Sequence, residues 1–167
     1  MSKLIQSTTL AALLIAGAAH AQVTIEAPWV RATVPQQGGS AAFMRLTAKS
    51  DTKLVQARSA VAKTVEIHEM ALENDVMKMR HVPALALPAG QTVALEPGGY
   101  HIMLLGLHGQ IQQGDQVPLT LTFEDGTGKR HSVEVQAPAR AVTSTGAGHG
   151  HHKGEDKHQG GHQAHGH

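Results

Sequence analysis

Along most of this chain, apolar residues recur at every second position over short stretches, the period of a strand with one face buried. The clearest stretch is 64–70, Thr-Val-Glu-Ile-His-Glu-Met, a strict alternation. Stretch 119–123 alternates apolar residues with threonine, and 131–136 closes the set. Further strands are expected over 23–26, 29–33, 41–48, 54–62, 76–82, 91–96 and 100–105. Trp29 is expected to anchor the core. Turn chemistry separates these runs: Glu73-Asn74-Asp75, Pro97-Gly98-Gly99 and Asp125-Gly126-Thr127-Gly128. The Ala/Leu run at 84–87 lies between Pro83 and Pro88 and is too short for a helix, and no long amphipathic helix is evident. The pattern predicts an all-β domain, an antiparallel β-sandwich or barrel.

The two ends depart from this pattern. Lys3, the apolar run 10–19 and Ala19-His20-Ala21 have the form of a secretory signal peptide with its cleavage site. The run is short for a bilayer core of about 30 Å, and no second apolar run follows, so the mature form is expected to lack a membrane span. From Thr143 onward there is no Val, Ile, Leu or aromatic residue. Such a segment buries too little apolar surface to offset its ordering entropy. The expected organisation is a signal peptide at 1–21, one folded domain at 22–142 and a disordered His-rich tail at 143–167. Export places the mature chain in the periplasm.

Composition narrows the chemistry. The chain has 167 residues, a formal net charge of +1 and no cysteine. Without cysteine there are no disulfides, thiolate zinc sites, iron–sulfur clusters or thiol nucleophiles. The near-neutral balance argues against nucleic-acid binding. No G-x-S-x-G, H-E-x-x-H or phosphate-cradling glycine loop occurs, so an enzyme is not expected. Histidine is abundant, at 13 residues. Seven lie in the tail: His149, His151, His152, His158, His162, His165 and His167. Their number and spacing suit an adaptable auxiliary site for Cu(II), Ni(II) or Zn(II).

A second group is sharper. His68-Glu69-Met70, Met77-Lys78-Met79 and His101-Ile102-Met103 each place imidazole or thioether two residues apart, on one face of a strand. Methionines in a β core are usually gap-fillers. The repeated His/Met step, however, points to a soft-donor site. Thioether suits Cu(I), and imidazole accepts either copper state. If these strands are neighbours, the donors converge.

The spacing of His68, Met79, His101 and Met103 fits the pattern H-x10-M-x21-H-x-M. With Val76-Met77-Lys78-Met79-Arg80, the run from Leu95 to Leu104 and Ala27-Pro28-Trp29-Val30-Arg31-Ala32-Thr33, the sequence resembles the PCu(A)C periplasmic copper chaperones over roughly 23–136. The resemblance implies a cupredoxin-like β-sandwich that holds one Cu(I) through His68, Met79, His101 and Met103. Met70, Met77 and His81 fall outside the pattern and stand as auxiliary candidates. The resemblance further implies a monomer that delivers copper to the CuA subunit of cytochrome c oxidase, beside or through a Sco-type assembly protein. A periplasmic copper buffer is the alternative role. A mononuclear copper redox enzyme fits less well, because a thioether-rich site holds Cu(I) and resists turnover.

Overall fold

A computed structural model describes residues 22–141. The signal-peptide reading and the tail histidines lie outside the described residues. Ten strands follow one another: β1 (Val23–Arg31), β2 (Gly39–Ala48), β3 (Thr52–Arg58), β4 (Ala62–Glu73), β5 (Val76–His81), β6 (Leu85–Leu87), β7 (Thr92–Leu95), β8 (Tyr100–Leu107), β9 (Gln116–Asp125) and β10 (Arg130–Arg140). Among the described residues there is no helix. The order across the sheet is β5-β4-β8-β7-β2-β1-β10-β9-β3-β6, and β8 also pairs directly with β2. A short parallel pairing of β1 with β10 joins the first sheet to the second, and all other pairings except β7–β8 are antiparallel. The result is the expected all-β sandwich.

The core lies between the two sheets. Val30, Ala42, Leu46, Ile67, Ile102 and Leu104 come from the first sheet, and Leu54, Leu87, Leu119, Leu121 and Phe123 from the second. Burying each large side chain contributes roughly 1.5–3 kcal/mol. Ala42, Ile67 and Ile102 also decide what the outer face presents. Their chain neighbours Phe43, His68, His101 and Met103 project from the opposite face, since successive side chains of a strand alternate. The outer-face residues of β2, β4 and β8 are thus fixed from behind by the core.

Four expectations need correction. The 23–26 and 29–33 runs are one strand interrupted by a bulge: Glu26 pairs with Arg45 but Trp29 with Phe43, so β1 carries one extra residue there. Ala27 sits in that bulge at φ 47°. Val23 and Ile25 pack inward, and the extra residue reverses the alternation so that Val30 turns inward and Trp29 outward. Trp29 is therefore not a core anchor; it stacks on Phe43 outside the sandwich, ring centroids 4.5 Å apart. The 54–62 run ends at Arg58, and Ala62 opens the next strand. The 84–87 run contains a short strand, β6, whose Leu85 and Leu87 complete the core against β3.

Candidate metal centre

β4 lies between β5 and β8, and its strict alternation sets the register of both neighbours. His68 stands opposite His81 on β5 and opposite His101 on β8. One row of three imidazoles therefore crosses three strands. Ring centroids are 5.9 Å apart for His68–His101 and 6.0 Å for His68–His81. One step along β4, Met70 stands opposite Met79; one step the other way, Glu66 stands opposite Met103. Met77 pairs with Leu72 toward the hairpin end. All these side chains share the outer face of the first sheet, as the parity of each strand requires.

His101 is the best-defined donor. It is 6 % exposed. Its Nδ1 lies 3.0 Å from the Gly99 carbonyl. A carbonyl oxygen only accepts, so the proton of the neutral ring sits on Nδ1 and Nε2 offers a lone pair. That Nε2 lies 3.3 Å from Met79 Sδ. The two atoms are close enough for a single ion to bond both. The Gly99 carbonyl also accepts the Met70 backbone N–H at 3.1 Å. The Pro97-Gly98-Gly99 turn, with Gly98 at φ 88°, thus fixes both the His101 ring and the course of β4 past it.

His68 is oriented in the opposite sense. Its Nε2–H donates to Glu66 Oε2 at 2.8 Å, and its buried Nδ1 has no partner. A carboxylate that fixes the proton on one ring nitrogen leaves the other free for a metal. The two imidazoles therefore present unprotonated nitrogens, and Met79 a thioether, from three adjacent strands. Met103 is half-buried on the same face, two residues from His101. Phe43 closes the far side of His101, ring centroids 6.4 Å apart. Among the described residues no group of three His, Asp or Glu side chains is placed to hold a metal ion. The donor that contacts His101 is a thioether sulfur, and such a donor set favours a soft cation.

The electrostatics separate by face. Arg80 Nε and Nη2 both donate to Glu69 Oε2, at 2.9 and 2.7 Å, and Lys78 reaches Glu73 at 3.2 Å. These residues lie on the side of the β4–β5 hairpin away from the donors. The Arg80 hydrogen bond holds the Glu69 carboxyl below its ordinary value of 4.5. Burial, then Glu69, pushes the Tyr100 phenol up. On the donor side the far edge is aromatic and cationic: Arg31 lies over Phe43 at 5.7 Å and Arg140 over Trp29 at 6.0 Å.

Of the seven candidates in the described residues, His101 and Met79 are in contact, and His68 and Met103 flank them. Met70 joins through its register with Met79. His81 is exposed at the edge strand, and Met77 is half-exposed near the turn. Sequence reasoning passed over Glu66, the Gly99 carbonyl and the Trp29–Phe43 pair. Glu66 was detectable, because it occupies the alternate position two residues before His68.

The fold and site together define a class: a β-sandwich with a soft-donor cluster on the outer face of one sheet. The LpqE-like family model, a lipoprotein-named family, matches residues 23–139. A lipoprotein-named relative from Leifsonia xyli subsp. xyli, Lxx21020, is 31 % identical over 153 residues, covering 81 % of this chain and 91 % of the relative. The solution structure of CuI-DR1885 from Deinococcus radiodurans is similar at 32 % identity and TM-score 0.55, covering 75 % of this chain and 83 % of that one. The copper-bound PCuAC domain from PmoF2 is similar at 25 % identity and TM-score 0.58, covering 72 % and 93 %. The chain belongs to the LpqE-like family, which is related to the PCuAC domains its sequence resembles.

Proposed function

We propose that this protein is a periplasmic copper chaperone. It carries one Cu(I) among His68, Met79, His101 and Met103 and hands it to assembly of the CuA centre of cytochrome c oxidase, directly or through a Sco-type partner. The observation that carries this reading is the pairing of the His101 Nε2 lone pair with Met79 Sδ at 3.3 Å, backed by the Gly99 hold on Nδ1. Two similar solved structures, CuI-DR1885 and the copper-bound PmoF2 domain, are named as copper-loaded. The signal-like N-terminus and the lipoprotein names of relatives support export. The tail histidines form the auxiliary Cu(II) site.

The copper is cargo, so the site must let go as well as hold. His68 and His101 are fixed by the core, whereas Met79 is 50 % exposed on an edge strand. A recipient's ligand can therefore displace the outer donor first. Anaerobic Cu(I) titration against a competing chelator tests the site. One tight equivalent is expected in the wild type and its loss in Met79→Ala and His101→Ala; a tight equivalent that survives both substitutions refutes the assignment. Delivery is separated from buffering in a deletion strain: delivery predicts loss of oxidase activity at low copper, and buffering predicts impaired growth at high copper.

A further inference from the structure

The β4–β5 hairpin has two unlike faces. Glu69, Glu73, Lys78 and Arg80 form ion pairs on one. The other carries Met70, Leu72, Met77 and Met79 and no charge. Leu72, Met77 and Met79 are 65 %, 49 % and 50 % exposed, among the most exposed large apolar side chains of the described residues. A face with only a solvation role would carry charge there, as its opposite side does. Three of its four residues are instead thioethers.

Register brings these sulfurs together. Met70 stands directly opposite Met79, and Met77 is diagonal to Met70 across the same ladder. Directly opposed Cβ atoms lie about 5 Å apart and diagonal neighbours about 7 Å, within reach of long side chains. Methionine, with three rotatable bonds, can turn its sulfur toward a common point. Met79 Sδ is also the atom facing His101 Nε2 at 3.3 Å. One thioether thus belongs to both the inner cluster and the hairpin face.

We propose that Met70, Met77 and Met79 form a second, open Cu(I) station through which the ion enters and leaves the inner site. The proposal rests on the inner-site reading above. Passage is ligand exchange: Met79 sulfur stays bonded while the bonds from copper to His68 nitrogen, His101 nitrogen and Met103 sulfur break and bonds to Met70 and Met77 sulfur form. No electron or proton moves. The hairpin end then offers copper to a partner on sulfur alone, without uncovering the buried imidazoles.

The test uses the full chain with carbon-13 in the methionine methyl groups and Ag(I) as a redox-inert probe. In wild type with Cu(I) in the inner site, further Ag(I) is expected to shift the Met70 and Met77 methyl signals. In His101→Ala, which disables the inner site, those signals are expected to shift with Met79 from the first addition. Tail imidazoles that take up Ag(I) leave these methyl signals unaffected. The double variant Met70→Leu/Met77→Leu keeps the apolar surface and removes the sulfur. It is expected to retain the tight Cu(I) equivalent but to release Cu(I) to a chromogenic chelator about tenfold more slowly, because the tethered sulfurs no longer compete at high effective concentration. Methyl signals of Met70 and Met77 that stay fixed, or wild-type release from the double variant, overturn the station. Absence of a tight equivalent in wild type overturns the inner site instead, and the His101→Ala spectra still report on the hairpin.

Discussion

Replacing Glu66 tests whether the orientation of His68 matters to metal binding. The Glu66 carboxylate accepts from His68 Nε2 at 2.8 Å and leaves Nδ1 as the free nitrogen. A hydrogen bond to a charged acceptor contributes about 2 kcal/mol and a neutral one about 1 kcal/mol. Glu66→Gln keeps an oxygen acceptor and loses the charge, so about 1 kcal/mol is at stake, close to fivefold in Kd. The Glu66 side chain is 35 % exposed, which makes fivefold the upper end. Glu66→Ala removes the acceptor altogether. The His68 side chain is only 12 % exposed, so its N–H is then left largely without water, and the ring is free to turn. Loss of such an outer partner weakens metal binding about 10- to 100-fold. The expected order of Cu(I) affinity is Glu, then Gln, then Ala, read by anaerobic competition with a chromogenic chelator at one pH. Nitrogen-15 spectra of the His68 ring check the cause, since the wild type should carry its proton on Nε2. An alanine variant that binds within about twofold of wild type would show that Glu66 does not position the ligand.

Other perturbations draw on the same geometry. Gly98→Ala forces a side chain onto φ 88° at a cost of about 1–3 kcal/mol, and should lower both the melting temperature and Cu(I) affinity because Gly99 loses its hold on His101. Phe123→Ala empties a fully buried position of the second sheet; chemical denaturation should show a loss of about 3–5 kcal/mol with the Cu(I) stoichiometry unchanged. The Glu69 carboxyl is held low by Arg80, so its contribution to stability is present above its ordinary value of 4.5 and is lost as pH falls through and below it. Acid titration of thermal stability should show that slope in the wild type and a shallower one in Glu69→Gln. Deleting 148–167 should abolish Cu(II) binding at the tail while sparing the tight Cu(I) equivalent; unchanged Cu(II) stoichiometry would defeat the tail assignment.

Local signals in the sequence carried most of the fold. The alternation through His68, the Asn74-Asp75 turn with both residues at positive φ, and the Pro97-Gly98-Gly99 turn each appear where the residues imply them. What alternation cannot reveal is which strands are neighbours. His68 and His101 are 33 positions apart and meet only because β8 lies beside β4, a pairing that depends on packing of the whole sheet. Trp29 shows a different limit. Its outward position results from one extra residue in β1, and no periodicity argument anticipates a bulge that reverses its own period. The partner of the His68 ring was legible only in part: its position two residues before His68 puts Glu66 on the same face, but a glutamate in an alternating strand reads equally well as ordinary solvent-facing filler.

The arrangement of the donors bears on whether the site stores copper or moves it. A storage site gains by enclosing every ligand, because an enclosed ion is reached only when the structure opens. Here the donors grade from fixed to free. His101 and His68 back onto Ile102 and Ile67 in the core, and Met103 is half-buried beside them. Met79 lies on the edge strand β5, all of whose residues are exposed. An edge strand has one unpaired side and yields first when contacts are exchanged. A partner approaching from that side meets sulfur before nitrogen and can take over the ion one bond at a time. Tight binding at equilibrium and rapid exchange need not conflict under such a grading. On the proposed reading all four donors set affinity, and exchange at the exposed Met79 sets the rate. Met70 and Met77, on the same face but outside the four donors, are therefore the residues whose substitution should separate the two quantities.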